Sequence, residues 1–176
     1  MNKRGIIYFI VLLTGLCTFF SSIRVLAQPN PKLQSVFIYN FIKYIEWPAD
    51  YKSGDFIIGS LGDSPTTEEL DKLAATRRAG TQKIVVQKYN SVGDIGRCHI
   101  LFIPETKNVK MDDILDKVGG NSTLVITEKA GLIKDGASIS FVYKDRKQEF
   151  ELNKNNIQES GLKVSTNLLN LAIRVE

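Results

Sequence analysis

Four short, nearly continuous apolar runs constrain the fold of this chain more than any other feature. They are FIIGSLG from Phe56, KIVVQKY from Lys83, CHILFIP from Cys98 and STLVITE from Ser122. Runs that are apolar on both sides indicate strands covered on both faces, as in a parallel α/β sheet. The link from Lys88 to Arg97 is short for a parallel crossover, which usually needs about a dozen residues, so the strand order around 83–103 stays open.

Helical segments separate these runs. Residues 32–46 are predicted to form a helix, and DSPTTEELDKLAATRRAG has a capping Ser64, a Pro65 suited to the first turn and a glycine stop. NVKMDDILDKVGG, between the third and fourth runs, is also helical in pattern and ends in glycine. Alternating runs and helices predict an α/β domain.

The pattern changes towards the C-terminus. SISFVY and QEFELN alternate with period two and are joined by a short polar turn, which predicts an antiparallel hairpin. The last stretch is predicted to be a helix with one apolar face, formed by Val164, Leu168, Leu171, Ala172 and Val175. The sequence therefore predicts a single domain with a mixed, mostly parallel sheet flanked by helices and an antiparallel hairpin near the C-terminus.

The N-terminus has the layout of a secretory signal peptide. Lys3 and Arg4 precede a mostly apolar run from Ile6 to Phe20, and Val25-Leu26-Ala27 offers a cleavage site. The run is shorter than the roughly 20 residues that a membrane span needs. We therefore expect residues 1–27 to be removed and residues 28–176 to be an exported, periplasmic domain without membrane insertion.

Removal of that segment changes the charge and the cysteine content. Residues 28–176 contain 20 basic and 19 acidic residues, a net charge of +1, so the sequence predicts no nucleic-acid partner. Cys17 is lost with the signal, which leaves Cys98 without a second cysteine in the mature chain. A domain of this size buries enough surface to fold without disulfides or metal.

Catalytic and metal-binding patterns are missing from the sequence. It contains no G-x-x-x-x-G-K-[ST], G-x-G-x-x-G or G-x-S-x-G motif. His99 is the only histidine, and on a strand its side chain points away from that of the adjacent Cys98. We predict no catalytic residue, no cofactor and no metal. The turn GSLGDSP leaves open an anion site at the following helix N-terminus, against the alternative of an ordinary capped turn.

The first predicted helix, in VFIYNFIKYIEWP, has more apolar surface than one core-facing stripe requires. One arc of about 160° is predicted to be core and consists of Tyr44, Phe37, Phe41, Ile45, Ile38 and Ile42. The opposite side mixes apolar and polar residues as interfaces do, and we predict that it binds a partner through Val36, Tyr39, Asn40, Lys43 and Trp47. Trp47 is ambiguous, because its burial within the domain would remove it from this surface.

Three segments carry a resemblance to a known family. FIYNFIKYIEWP, RCHILFIP and FELNKNNIQESGLKVSTNLLNLA resemble, in the same order, segments of the YfiR family. The resemblance covers about Lys32 to Val175 and implies a periplasmic, non-enzymatic α/β regulator that can dimerise. The best-known member represses a membrane-bound diguanylate cyclase by engaging its periplasmic region and is redox-sensitive through disulfides. The lone Cys98 departs from the redox pattern.

The predicted function follows from this combination. We expect a regulatory binding protein that acts on the extracytoplasmic region of an inner-membrane signalling protein, diguanylate cyclase-like, with a homodimer also open. The alternative is a periplasmic small-molecule binding or sensor protein with its ligand at the sheet edge. A deep, partly polar pocket near residues 60–66 would favour the alternative, whereas an exposed apolar patch on the first helix would favour the regulator.

Overall fold

The computed structural model describes residues 30–176, so the predicted signal peptide lies outside the described residues and stays a prediction. The first helix, α1, spans Pro31–Tyr44. The Asn30 side chain caps it by accepting a hydrogen bond of 3.0 Å from the Leu33 amide. The backbone becomes extended at Ile45 and forms the short strand β1, Ile45–Glu46. The predicted helix over 32–46 is thus confirmed except for its last two residues.

Nine further strands follow β1 along the chain. They are β2 (Phe56–Leu61), β3 (Arg78–Ala79), β4 (Gln82–Tyr89), β5 (Ile100–Ile103), β6 (Leu124–Thr127), β7 (Ile139–Lys144), β8 (Lys147–Leu152), β9 (Lys163–Val164) and β10 (Arg174–Val175). Eight of them form one sheet in the order β10-β8-β7-β6-β5-β2-β4-β3, while β1 and β9 form a separate antiparallel pair. Each predicted apolar run is therefore a strand of the large sheet.

The pairing within the large sheet is mostly parallel. β2, which lies between β4 and β5, is parallel to both, and β5-β6, β6-β7 and β10-β8 are also parallel. β7 and β8 form the predicted antiparallel hairpin, and β3 pairs antiparallel with β4. The mixed, mostly parallel sheet is thus confirmed. The strand order around residues 83–103, which the sequence left open, is β4-β2-β5. Because β2 lies between β4 and β5, the connection from β4 to β5 passes β2.

Four more helices flank the sheet, namely α2 (Pro65–Ala74), α3 (Met111–Val118), α4 (Lys154–Glu159) and α5 (Thr166–Leu171). Single 3₁₀ turns occur at Ala49–Tyr51, Val92–Asp94 and Leu132–Asp135. Ser64 caps α2 by accepting from the Thr67 amide at 3.1 Å, as the sequence predicts. The domain is therefore a sheet with helices packed on both faces.

Two apolar clusters form the core, one on each face of the sheet. The larger cluster joins α1, α2, α4 and α5 to the sheet through residues that include Phe41, Leu70, Ile157 and Leu168. The smaller cluster joins α3 to the other face and contains Ile114 and Cys98. Neighbouring strand residues alternate between the clusters, for example Ile100 in the larger and Leu101 in the smaller. A surface on α1 therefore lies on the opposite side of the sheet from α3.

The predicted C-terminal helix is wrong over most of its length. Val164 lies in β9 opposite Ile45, and Val175 lies in β10 beside Leu152 of β8. Only residues 166–171 are helical, and Leu171 at their end is 59% exposed. The helical apolar period is overridden because these residues pair with strands distant in sequence.

Candidate partner-binding site

The inner face of α1 packs on the large sheet. Ile38, Phe41 and Ile45 are buried, and the remaining members of the predicted core arc, Phe37, Ile42 and Tyr44, are half-buried against the same cluster. The ring of Phe41 lies 5.0 Å from that of Phe150 on β8 in an edge-to-face arrangement. The predicted core arc is therefore confirmed, and it fixes which side of α1 faces outward.

A buried polar chain that the sequence did not reveal fixes the start of α1. The Thr66 hydroxyl donates to the Gln34 amide oxygen at 2.5 Å, and the Gln34 amide nitrogen donates to Gln148 at 3.3 Å. These bonds join α1 to the start of α2 and to β8. Because a buried amide is costly to leave unsatisfied, the network specifies one orientation of α1. The outward face is therefore held rigidly.

The outward face of α1 exposes apolar side chains. Val36 is 41% exposed and Leu33, one turn earlier, is 38% exposed. Asn40 is half-buried and Lys43 is exposed, and at helical spacing they continue the stripe from Leu33 and Val36. We call Leu33, Val36, Asn40 and Lys43 the α1 stripe. That Val36, Asn40 and Lys43 bind a partner stays a prediction.

Tyr39, the next predicted contact residue, borders the α1 stripe and is half-buried. The Lys43 amino group lies 4.7 Å from the centre of its ring, and the Arg77 guanidinium lies 5.9 Å from the same centre. Its hydroxyl donates a long hydrogen bond of 3.4 Å to the Arg78 carbonyl. Tyr39 therefore forms a platform under two cations at the edge of the stripe.

Trp47 belongs to the core in the folded monomer. It is 6% exposed, and its ring lies 5.1 Å from that of Phe56 in an edge-to-face arrangement. The indole N–H donates to the His99 carbonyl at 3.3 Å. The predicted surface therefore reduces to Val36, Tyr39, Asn40 and Lys43, because a buried indole is not available to a partner.

The surface of the domain has two grooves of interest. One, of about 490 Å³, lies at the end of α3. The second, of about 320 Å³, is mainly apolar and adjoins the α1 stripe. The second groove is bordered by α1, β8 and α5, and its lining consists of Phe37, Asn40, Phe41, Lys43, Tyr44, Gln148, Glu149, Phe150, Leu168, Leu171 and Ile173. Asn40 and Lys43 thus belong both to the α1 stripe and to this groove, which we call the α1 groove. Leu171 and Ile173 on its far wall are 59% and 45% exposed.

Comparison with known proteins gives the family. Residues 31–173 match the model of a family described as YfiR/HmsC-like. The chain belongs to the YfiR/HmsC-like family. This assignment confirms the resemblance found in the sequence, and it supports, in general terms, a periplasmic regulator of diguanylate cyclase signalling that is not catalytic. No curated protein gives a significant match.

Two solved structures resemble the fold of this YfiR/HmsC-like chain. A conserved domain protein from Vibrio cholerae has a TM-score of 0.59 at 11% identity, covering 83% of this chain and 60% of that one. An ABC domain in complex with L-Trp from Streptococcus pneumoniae has a TM-score of 0.56 at 11% identity, covering 84% and 62%. This chain spans less than two thirds of the length of either, and at such identity the likeness concerns the fold alone.

Cys98 and His99 of this YfiR/HmsC-like protein are both buried and face opposite sides of the sheet, as predicted. Burial raises the pKa of the Cys98 thiol to about 11, so the reactive thiolate is scarce at neutral pH. The His99 Nδ1 accepts from the Ile57 amide at 3.0 Å, and Nε2 lies 2.8 Å from the Tyr51 carbonyl. This pattern requires neutral imidazole with its proton on Nε2, and burial lowers the His99 pKa accordingly. Both residues therefore have structural roles.

The turn after β2 is filled by its own side chains. The Ser60 hydroxyl lies 2.8 Å from the Thr67 hydroxyl and 2.9 Å from the Gly62 carbonyl, and Ser64 lies 2.9 Å from Thr67. The Lys107 side chain covers Gly62, since a Cβ built there would lie 2.2 Å from Lys107 Cε. These polar groups are buried and satisfy one another, as in the ordinary capped turn that the sequence left open.

Metal-ligating and membrane-spanning features can be stated for residues 30–176. Within that range, no group of three or more His, Cys, Asp or Glu side chains is placed to hold a metal ion. No helix in the same range has the length and hydropathy to cross a membrane. Two polar side chains along the 490 Å³ groove are used internally: the Asn156 amide donates to the Ile133 and Ala137 carbonyls, and the Ser160 hydroxyl donates to the Asn156 carbonyl.

Proposed function

We propose that this protein is a periplasmic regulator that represses or modulates an inner-membrane signalling protein, of the diguanylate cyclase kind, by binding its extracytoplasmic region. Family membership supports regulation of such signalling in general. We assign the contact to the outward face of α1, through Val36, Tyr39, Asn40 and Lys43. The proposal also includes export by a signal peptide over residues 1–27.

The observation that carries the proposal is the exposed apolar surface on α1 and beside it. Leu33 and Val36 on the helix, and Leu171 and Ile173 across the α1 groove, are all more than one-third exposed. Clustered apolar residues rimmed by polar ones favour a protein-binding surface over a purely solvated one. Their position on a helix anchored by buried residues suits recognition, because little order is lost on binding.

A small-molecule sensor is supported less well. The feature that would favour it is a polar pocket near residues 60–66, and the hydroxyls of this turn are buried and bonded to one another. The α1 groove is mainly apolar and open, and two polar side chains of the 490 Å³ groove, Asn156 and Ser160, are engaged in internal hydrogen bonds. The exposed apolar residues of the α1 stripe, Leu33 and Val36, favour a macromolecular partner over a small molecule.

The test is co-purification of the tagged protein with inner-membrane proteins from its own cells, with cyclic di-GMP measured in parallel. We expect Val36→Glu, alone and combined with Tyr39→Glu, to abolish recovery of the membrane partner and to change cyclic di-GMP as deletion of the gene does. Lys117→Glu on α3 is the matched control, because it changes the net charge by the same two units as the double variant on the opposite face.

Circular dichroism and thermal unfolding decide whether each variant is folded. The single Val36→Glu variant should not disturb folding, because Val36 is exposed whereas Tyr39 is half-buried. A folded Val36→Glu variant that recovers the partner as well as the wild-type protein would contradict the assignment to α1. Failure of the wild-type protein to recover any inner-membrane protein would contradict the proposed function.

A further inference from the structure

The α1 groove and the α1 stripe form one continuous surface with an apolar centre. Asn40 and Lys43 belong to both, and Phe41 and Phe150 form the apolar floor between α1 and β8. Leu171 and Ile173 expose their side chains on the opposite wall. A cleft of about 320 Å³ with these walls can receive a few apolar side chains from a second polypeptide.

The charged side chains on α1 and over its Tyr39 ring are all positive. The sequence of α1, PKLQSVFIYNFIKY, contains two lysines and no acidic residue. Lys43 and Arg77 both lie over the Tyr39 ring, at 4.7 and 5.9 Å. Among the ion pairs within residues 30–176, none involves either cation, although Lys52, Lys72 and Lys88 do have carboxylate partners. Two neighbouring cations on this face thus remain available for carboxylates of another molecule.

Two carboxylates beside this surface are engaged or directed elsewhere. Glu46 pairs with Lys52 at 3.4 Å and lies opposite Lys163 in the β1-β9 ladder. Glu149 borders the α1 groove, but side chains alternate along β8, and its neighbour Phe150 is the one that packs on α1. The cations are therefore not neutralised from within this surface.

From these observations we propose that the surface receives an acidic and apolar segment of the membrane partner, with apolar side chains in the α1 groove and carboxylates on Lys43 and Arg77. The inference rests on the proposed function and names the chemistry that the partner presents. A second copy of this chain fits less well, since two α1 helices packed together would oppose lysines to lysines without an acid on either helix.

Two synthetic amphipathic peptides test the proposal directly. They share one leucine ridge and differ only in having glutamates or lysines on its flanks, and their binding to the mature chain is measured by fluorescence anisotropy. We expect the glutamate peptide to bind and the lysine peptide to bind more weakly. Lys43→Glu should lower the affinity for the glutamate peptide by at least about fivefold, as expected when an exposed ion pair is lost and its charge reversed. Higher salt concentration should lower this affinity as well.

Two variants separate the apolar contribution from the charge. Leu171→Asp places a carboxylate on the wall of the α1 groove at a well-exposed position and should abolish binding while leaving the fold intact. Lys117→Glu changes the net charge as Lys43→Glu does but lies on the other side of the sheet, and it should leave binding unchanged. Equal binding of both peptides, no binding by the glutamate peptide, or equal weakening by Lys43→Glu and Lys117→Glu would overturn the proposal.

Sedimentation velocity distinguishes the alternative occupant. If wild-type protein is a dimer that Leu171→Asp converts to a monomer, the groove holds a second copy and the proposal is wrong. Failure of this inference is also distinct from failure of the proposed function. In one such outcome, a membrane partner co-purifies equally well with Lys43→Glu and is not displaced by the glutamate peptide. That result would contradict the proposed acidic segment of the partner but would still support the proposed function as a regulator.

Discussion

Replacement of Trp47 by alanine tests whether the end of the VFIYNFIKYIEWP stretch is part of the core. The indole packs edge-to-face on Phe56, with ring centres 5.1 Å apart, and lies 6.1 Å from the His99 ring. Its N–H donates to the His99 carbonyl at 3.3 Å. The side chain is thus both a large apolar group and a buried hydrogen-bond donor at the junction of α1 and the sheet.

The magnitude follows from the buried area. An indole buries about 150–250 Å², which at about 25 cal/mol per Å² corresponds to about 4–6 kcal/mol. Measured Trp→Ala losses in cores are about 3–5 kcal/mol, because the site collapses in part. Since a domain has only about 5–15 kcal/mol of stability, Trp47→Ala should lose a large part of it. Trp47→Phe keeps most of the packing and removes only the indole hydrogen bond, because the His99 carbonyl also accepts from the Leu124 amide at 2.8 Å, so it should lose about 0.5–1.5 kcal/mol.

Urea unfolding followed by circular dichroism gives both free energies of unfolding. In the wild-type protein the same transition can be followed by fluorescence, because Trp47 is the chain's only tryptophan. A loss of less than about 1 kcal/mol in the free energy of unfolding for Trp47→Ala would refute the core assignment, because removal of a buried, well-packed indole destabilises a protein by more than this. It would return Trp47 to the partner-binding surface on which the sequence placed it.

Three further predictions concern groups inside the domain. Burial holds the His99 pKa below its usual 6.5, so the unfolded chain binds that proton more readily than the folded chain. The contribution of His99 to stability is therefore complete above about pH 6.5 and is lost as the pH falls through the lower folded-state pKa. Urea midpoints from about pH 7.5 to 5 measure this loss, and His99→Gln should make the midpoint less dependent on pH. A chromogenic thiol reagent should modify Cys98 only on unfolding, and reductant should leave the melting temperature unchanged, whereas rapid native-state modification would show that the thiol is accessible. Gly136→Ala should destabilise the domain, because the residue has φ of +107° and a Cβ would lie 2.3 Å from Leu115 Cδ1; an unchanged urea midpoint would contradict this.

The central part of the fold could be predicted from the sequence because its physical signal is local. Strands such as β5 and β6 are buried at every position, so their apolar runs have no helical or alternating period. The α1 core arc is equally readable, since Ile38, Phe41 and Ile45 recur at helical spacing. Cys98 and His99 lie just before β5 and continue its alternation, because the His99 backbone bonds to Ile57 and Leu124 on the flanking strands, so their opposite orientation could also be predicted.

The remaining features depend on partners distant in sequence. Gln34 is polar yet buried, because it bonds Thr66 and Gln148, the latter 114 residues away. Val175 has a helical period with Leu168 but pairs with β8 instead. The α1 groove is formed by α1, β8 and the segment after α5, so Leu171 and Ile173 join the candidate surface only in three dimensions. Trp47 could not be assigned from sequence, because its environment includes Phe56 and the His99 backbone.

Site-specific photo-crosslinking in living cells tests most directly whether the outward face of α1 binds a membrane signalling protein. A photoreactive amino acid replaces Val36 in one strain and Lys117 in another, both exposed and on opposite sides of the sheet. If the outward face of α1 binds the partner, the position 36 probe gives a covalent product with an inner-membrane protein that has an extracytoplasmic region, and the position 117 probe does not. A product only with a second copy of this chain, or equal products from both positions, would contradict it.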